Sequence, residues 1–170
     1  FYDERINLQA HSLIEFEASL RHALRRGEFE LHYQPRVDLG SGKIVGLEGL
    51  IRWRHPERGL LGPNEFIPLA EETGLIVPMG YWVIARACHD LAQMKKRNMA
   101  PVHVAVNMSF RQFQDSALLS TVKRLLERTG IDPHWLEFEL TETAVMQQPE
   151  QVLMTMDGMT GLGLRFSLDD

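Results

Sequence analysis

The sequence has little cysteine, no long apolar run and no excess of positive charge. Its one cysteine, Cys88, excludes an internal disulfide and suits a reducing compartment, so a cytoplasmic domain is expected. Cys88 falls in an apolar helical pattern and reads as a small core residue rather than a reactive thiol. No run of apolar residues is long enough to span a bilayer, and no leader peptide is visible. Membrane anchoring through other segments of a longer parent stays open. Lys and Arg number 18 against 23 Asp and Glu, a net charge of −5. That balance argues against a polymeric nucleic-acid partner, which calls for a basic face. It does not exclude a small anionic ligand, and acids gathered in one place would suit a cation. The chain opens on Phe-Tyr-Asp without Met, so a piece of a longer protein is expected.

What is present fits one α/β domain. The 170 residues are 44% hydrophobic and 24% charged, enough for a core and ordinary for a globular chain. Residues 8–27 predict an amphipathic helix with Leu13, Phe16, Leu20 and Leu24 as its stripe and Gly27 as its stop. Glu28 to Leu39 predicts a strand that ends or bulges near Gln34, because Pro35 breaks its ladder. A Gly40–Gly42 turn leads to a second strand over Lys43–Trp53, giving an antiparallel hairpin. A loop follows over His55–Pro63, then a short helix ending at Gly74. A longer helix is expected over Pro78–Arg97, with Ile84, Ala87, Cys88, Leu91 and Met94 inward. The strand Val102–Met108 precedes a helix from Ser109 to Gly130, opened by a Ser109/Gln112 capping box. Strand Trp135–Thr141, a helix from Pro149 to about Met159 and strand Leu164–Asp170 complete the chain. The alternation after the hairpin predicts parallel strands.

Acids and amides recur at the strand ends. Glu48 sits among apolar neighbours in Gly46-Leu-Glu-Gly-Leu-Ile-Arg-Trp53, and a buried carboxylate needs a partner. Arg52 shares its strand face, and so could a metal ion serve. Asn107, Glu139, Asp169 and Asp170 close the later strands. Same-face neighbours two positions earlier are Gly46, Ala105, Glu137 and Ser167, while Leu47, Val106, Phe138, Leu140 and Leu168 have the parity to pack under helices. In parallel barrels, functional groups come from several C-terminal strand ends. An oxygen-only donor set suits Mg²⁺ or Mn²⁺, and a cluster this large could hold two ions for phosphoryl transfer. Arg52 would then be available to a phosphate. A lone acid at a strand end is more often a cap or ion-pair partner; four ends in succession favour a site. His55 and His103 are weak ligand candidates.

Six motifs in order carry a resemblance: Tyr-Gln-Pro at 33–35, the 46–53 stretch, Pro-Asn-Glu-Phe-Ile-Pro-Leu-Ala-Glu at 63–71, Val-Asn-Met-Ser at 106–109, Glu-Leu-Thr-Glu at 139–142 and Leu-Asp-Asp at 168–170. From about Glu28 onward the sequence resembles the EAL domain, a family of cyclic-di-GMP phosphodiesterases and their ligand-sensing relatives. Residues 1–27 resemble the helix that joins an upstream GGDEF domain to an EAL domain in bacterial tandem proteins. The resemblance implies a TIM-like (β/α)8 barrel with an antiparallel first strand, of which 28–170 would supply the N-terminal part, about five strands. It implies Glu48, Asn107, Glu139 and Asp169 as metal ligands, Asp169 bridging and Asp170 holding a second ion, with Glu142 bracing a loop near the metals and the dimer surface. It implies Arg52 as the phosphate-binding arginine, and Gln34, Leu50 and the segment from Pro63 to Phe66 in contact with the dinucleotide. The implied reaction is hydrolysis of cyclic-di-GMP to linear pGpG with two Mg²⁺ or Mn²⁺ ions, in a homodimer.

Two departures from the family pattern matter. Gly49 replaces an alanine; it faces away from Glu48 and should cost only about 0.5–1 kcal/mol of backbone order. The Phe-Gly-Thr-Gly, lysine, glutamate and glutamine that follow Asp-Asp in the family have no counterpart within the 170 residues, so this stretch alone is expected not to close a barrel and to be inactive. Besides the phosphodiesterase, two alternatives stand: a sensor that binds cyclic-di-GMP without cleaving it, and a domain that signals by dimerising through helix 8–27. The ligand acids that sensors often lose are all kept, which favours the enzyme.

Overall fold

Turn chemistry in the first hairpin fixes how its two strands align. In this computed structural model, which describes residues 2–99, 103–141 and 149–169, Ser41 donates its N–H and its hydroxyl to Asp38 Oδ1 at 2.7 and 2.6 Å. Gly42, at φ 67°, donates to the Asp38 carbonyl at 2.8 Å. The two bonds from Ser41 hold the Asp38 carboxyl below its ordinary range. This turn joins β1 (Phe29–Val37) to β2 (Ile44–His55). Gln34 then faces Glu48 and Arg36 faces Gly46, with a shift in register between Arg36 and Val37. The irregularity therefore falls after Pro35, not at Gln34. Pro35 pairs with Leu47 inside the ladder, which β1 tolerates because it lies at the sheet edge.

Beyond the hairpin the strands β4 (His103–Met108), β5 (Leu136–Thr141) and β6 (Arg165–Asp169) follow in space in the order β1-β2-β4-β5-β6. Strands β2, β4, β5 and β6 run parallel. The stretch expected to be a loop after His55 forms a second hairpin instead, with β3 (Gly59–Leu61) pairing against Trp53–His55. His55 makes that turn: its Nδ1 accepts the N–H groups of Glu57 and Arg58 at 3.1 and 3.2 Å. Consequently β2 runs on to His55, and Glu48 lies mid-strand rather than at its end. The parallel ladder to β4 nonetheless stops at Gly49, which leaves Glu48 at the rim.

The helices are α1 (Tyr2–Arg26), α2 (Pro63–Thr73), α3 (Ile76–Lys96), α4 (Phe110–Phe113), α5 (Leu118–Thr129) and α6 (Pro149–Gly161). α1 begins earlier than its apolar stripe predicts. Gly74, at φ 77°, ends α2 in the left-handed conformation, so α3 starts within two residues. The helix expected over Ser109–Gly130 is two helices. Asp115 divides them: its Oδ1 accepts the Ala117 N–H at 2.9 Å and its Oδ2 the Tyr81 hydroxyl at 2.8 Å. A carboxylate competing for backbone donors interrupts a helix in this way. Burial and that bond push the Tyr81 phenol up to about 12.

Two apolar clusters hold these layers. One packs Val104, Val106, Phe138 and Leu140 of the sheet against Ile84, Cys88 and Leu91 of α3 and Val122 of α5. The other gathers Leu20 of α1, Phe29, Trp53, Phe66 and Met79. Each large side chain so buried contributes about 1.5–3 kcal/mol. Cys88 is fully buried and burial pushes its thiol up to about 12, in keeping with a core role. Leu168 has the parity to pack under a helix but is 65% exposed on the outer strand β6.

Gln112 ties the end of β4 to α3. Its Oε1 accepts the Ser109 N–H at 2.6 Å, and its Nε2 donates to the Ile76 carbonyl at 3.2 Å. Room for this amide comes from Gly80, where a Cβ would lie 1.3 Å from Gln112 Nε2. Gly80→Ala is therefore expected to lower unfolding free energy by about 1–3 kcal/mol, the cost of stranding buried polar groups, although alanine is by about 1 kcal/mol the better helix former. Urea denaturation of the two proteins measures this.

Candidate functional site

Two-residue periodicity puts a row of polar side chains on the sheet face opposite the helices. The register aligns Gln34 and Arg36 of β1 with Glu48 and Gly46 of β2, Glu48 with Ala105, Asn107 with Glu139, and Glu139 with Ser167. On the other face Gly49, Val106, Phe138 and Leu140 are buried. A Cβ at Gly49 would come within 3.2 Å of Leu31 and 3.3 Å of Val106, so its smallness serves packing and not the polar face.

The polar side chains meet one another. Asn107 Nδ2 donates to Glu48 Oε1 at 3.0 Å. Ser167 donates to Glu137 Oε1 at 2.8 Å and lies 3.3 Å from Glu139 Oε1. Arg36 reaches across from the edge strand: Nη2 binds Glu139 and stands 3.9 Å from Glu48, and Nη1 stands 3.5 Å from Glu137. Glu137 also has His103 Nε2 at 3.5 Å. Burial on its own would lower the Arg36 pKa; the bond to Glu139, with the charges of Glu139, Glu48 and Glu137, outweighs it and holds the guanidinium above its ordinary value. Glu139 and Glu137 are buried, at 6% and 9% exposed, so they need this charge.

A cleft of about 840 Å³ opens beside the set, lined by Leu50, Pro63, Ile67, Met79, Asn107, Ser109, Arg111 and Glu139 among others. It brings together the ends of β4 and β5 with the start of α2, as a site at a strand rim requires. The Ser109 Oγ is buried beside it without a hydrogen-bond partner among the described residues.

A family model for the EAL domain matches residues 17–170. The chain belongs to the EAL domain family. Relatives from Pseudomonas aeruginosa include the bifunctional diguanylate cyclase/cyclic di-GMP phosphodiesterase MucR, 36% identical over all of this chain and 25% of its own length. The cyclic di-GMP phosphodiesterase NbdA is 38% identical over all of this chain and 22% of its length. The chain thus spans about a quarter of these curated relatives. Among solved structures, the PaMucR phosphodiesterase in complex with c-di-GMP superposes with a TM-score of 0.86 at 38% identity, over 94% of this chain and 63% of that one. The EAL enzyme Bd1971 in its cAMP- and cyclic-di-GMP-bound form gives 0.86 at 30% identity, over 98% and 47%. The α/β fold with its mixed sheet is accordingly part of a TIM-like barrel with an antiparallel first strand, as expected.

Within this EAL domain Glu48, Asn107 and Glu139 share one face and one rim. Asp169 pairs with Thr141 at the next position along that rim. Glu142 and Asp170 lie outside the described residues. Leu50 and Pro63 line the cleft. Gln34 is exposed on the edge strand opposite Glu48. Of the two partners open to Glu48, Arg52 is not the one taken: its Nη1 donates to the Ile51 carbonyl at 2.9 Å. One expectation needs correcting. Phe66 does not line the cleft: it is fully buried, with its ring 5.8 Å from those of both Phe29 and Trp53, because it falls on the core side of α2. Arg36 was missed. Only the hairpin register, set by the Asp38 turn, puts it opposite Gly46 and on the acidic face.

Metal fit follows from donor chemistry. Glu48 and Glu139 offer carboxylate oxygens and Asn107 its amide oxygen, a donor set that suits hard divalent ions. A cationic side chain already sits among the two acids. As arranged, no three His, Cys, Asp or Glu among the described residues stand close enough to hold an ion.

The different placements of Phe66 and Pro63 are open to test. Phe66→Ala is expected to cost about 3–5 kcal/mol, as for a buried ring. Pro63→Ala, on the cleft wall, is expected to stay within about 0.5–1 kcal/mol of the parent. Equilibrium denaturation of both variants reads the difference.

Proposed function

We propose that this EAL domain serves as a cyclic-di-GMP phosphodiesterase that hydrolyses one phosphodiester bond to give linear pGpG, with Mg²⁺ or Mn²⁺ bound at Glu48, Asn107, Glu139 and Asp169 and with Asp170 on a second ion. The observation that carries the reading is the Glu48–Asn107 contact at 3.0 Å beside buried Glu139, on the face that opens to the cleft. Relatives that bear the phosphodiesterase name over this same stretch, and the c-di-GMP complex of PaMucR, support it.

The chain's own residues would divide the work. Glu48 and Glu139 supply negative charge, and Asn107 supplies a neutral oxygen and fixes the Glu48 carboxylate. Bound divalent ions would polarise a phosphoryl oxygen and make a water acidic. Arg52 has one donor committed to its own strand and keeps others for a phosphate oxygen. Leu50 and Pro63 offer apolar surface to a base, and Gln34 an amide from the edge strand. The chemistry needs positive charge balanced against the acids, which is why removal of one acid should be severe. Glu142, a homodimer and an upstream GGDEF domain joined through α1 belong to the same proposal; the bifunctional name of MucR supports the last.

The test is turnover of cyclic-di-GMP by the full-length protein with Mn²⁺, with Mg²⁺ and with chelator. Metal-dependent pGpG formation is expected, with Glu48→Ala and Asn107→Ala each lowering kcat at least about 100-fold. Wild-type rates in either variant would contradict the site. Saturable binding without turnover would instead mark a sensor.

A further inference from the structure

Arg36 occupies the position where a bound cation is most needed. It comes from the edge strand β1, lies on the acidic face by the hairpin register and is the positive charge shared by Glu48, Glu137 and Glu139. Its two terminal nitrogens are split between two layers. Nη2 is on Glu139 and near Glu48 at the rim, while Nη1 is 3.5 Å from Glu137, one layer deeper. Glu137 is itself held by Ser167 at 2.8 Å and faces His103 at 3.5 Å. The His103 ring fits because Gly46 has no side chain: a Cβ there would lie 2.5 Å from His103 Nε2.

We propose that Arg36 is a built-in counter-cation that competes with the divalent ion for Glu48 and Glu139, and that Glu137 is the acid to which it withdraws when the ion binds. The inference rests on the metal reading above. Its logic is electrostatic. A guanidinium cannot lose its proton to make way, so an ion entering between Glu48 and Glu139 must push it off. A second carboxylate already in contact lets it move without being left unpaired. Arg36 thereby sets the metal affinity as a positioning residue, touching neither substrate nor reacting atoms. The same device keeps the buried acids neutralised in the metal-free chain.

Mn²⁺ binding by the metal-free full-length protein, read by calorimetry and by the paramagnetic resonance of free Mn²⁺, tests this without any assay of turnover. Arg36→Met is expected to tighten Mn²⁺ binding at least tenfold. Arg36→Lys, which keeps the charge but on a single nitrogen, is expected to tighten binding less than Arg36→Met does. Glu137→Gln is expected to weaken binding at least threefold in the wild-type background and not in the Arg36→Met background, because without Arg36 no withdrawal is needed. Should Arg36→Met fail to fold, the Glu137→Gln effect measured with Arg36→Lys and Arg36→Gln carries the same comparison. Wild-type binding with no tightening in an uncharged Arg36 variant overturns the inference and leaves the metal site standing. No Mn²⁺ bound by any variant overturns the metal reading itself and the inference with it.

Discussion

Carboxylates that meet in a poorly solvated place need a positive charge between them. Like charges about 4 Å apart repel by roughly 4 kcal/mol in an effective dielectric near 20, a large share of the 5–15 kcal/mol that holds an ordinary domain folded. Glu137 and Glu139 are both buried, and Glu48 stands at the same guanidinium. The sheet face is therefore costly to hold without a cation, and this requirement organises the rest. It explains why Arg36 crosses from the edge strand, why Ser167 turns its hydroxyl to Glu137, and why Asn107 rather than another acid is beside Glu48.

The scaffold meets that requirement by separating its two sheet faces. Valine, leucine and phenylalanine of alternate parity pack under α3, α5 and α6, so the opposite parity is free to be polar. Gln112 and Gly80 then lock α3 against the segment that follows Asn107. Precision at the rim derives from this dry packing behind it, a link from core to site that no polar residue at the rim could provide alone.

Much of this was legible in the chain. The succession of helices and strands after the hairpin predicts the parallel sheet, alternation in Trp135–Thr141 the polar parity, and the motifs around Glu48 and Asp169 the family. What was not legible depended on side chains acting on backbone. His55 builds the β3 hairpin and Asp115 splits a helix that looked continuous, and neither effect leaves a trace in hydrophobic periodicity. Arg36 stayed hidden because Pro35 suggested a break, and a one-residue change of register moves every side chain to the other face. Phe66 was misassigned for a related reason: a motif marks which helix borders a site, while helical phase decides which of its residues faces it.

Diffraction from crystals of the full-length protein grown with Mn²⁺, with data collected at the manganese absorption edge, tests the central claim most directly. An anomalous peak at about 2.1 Å from oxygens of Glu48, Asn107, Glu139 and Asp169 is the predicted result. A fully occupied manganese elsewhere, with Arg36 still seated on Glu139, would contradict it.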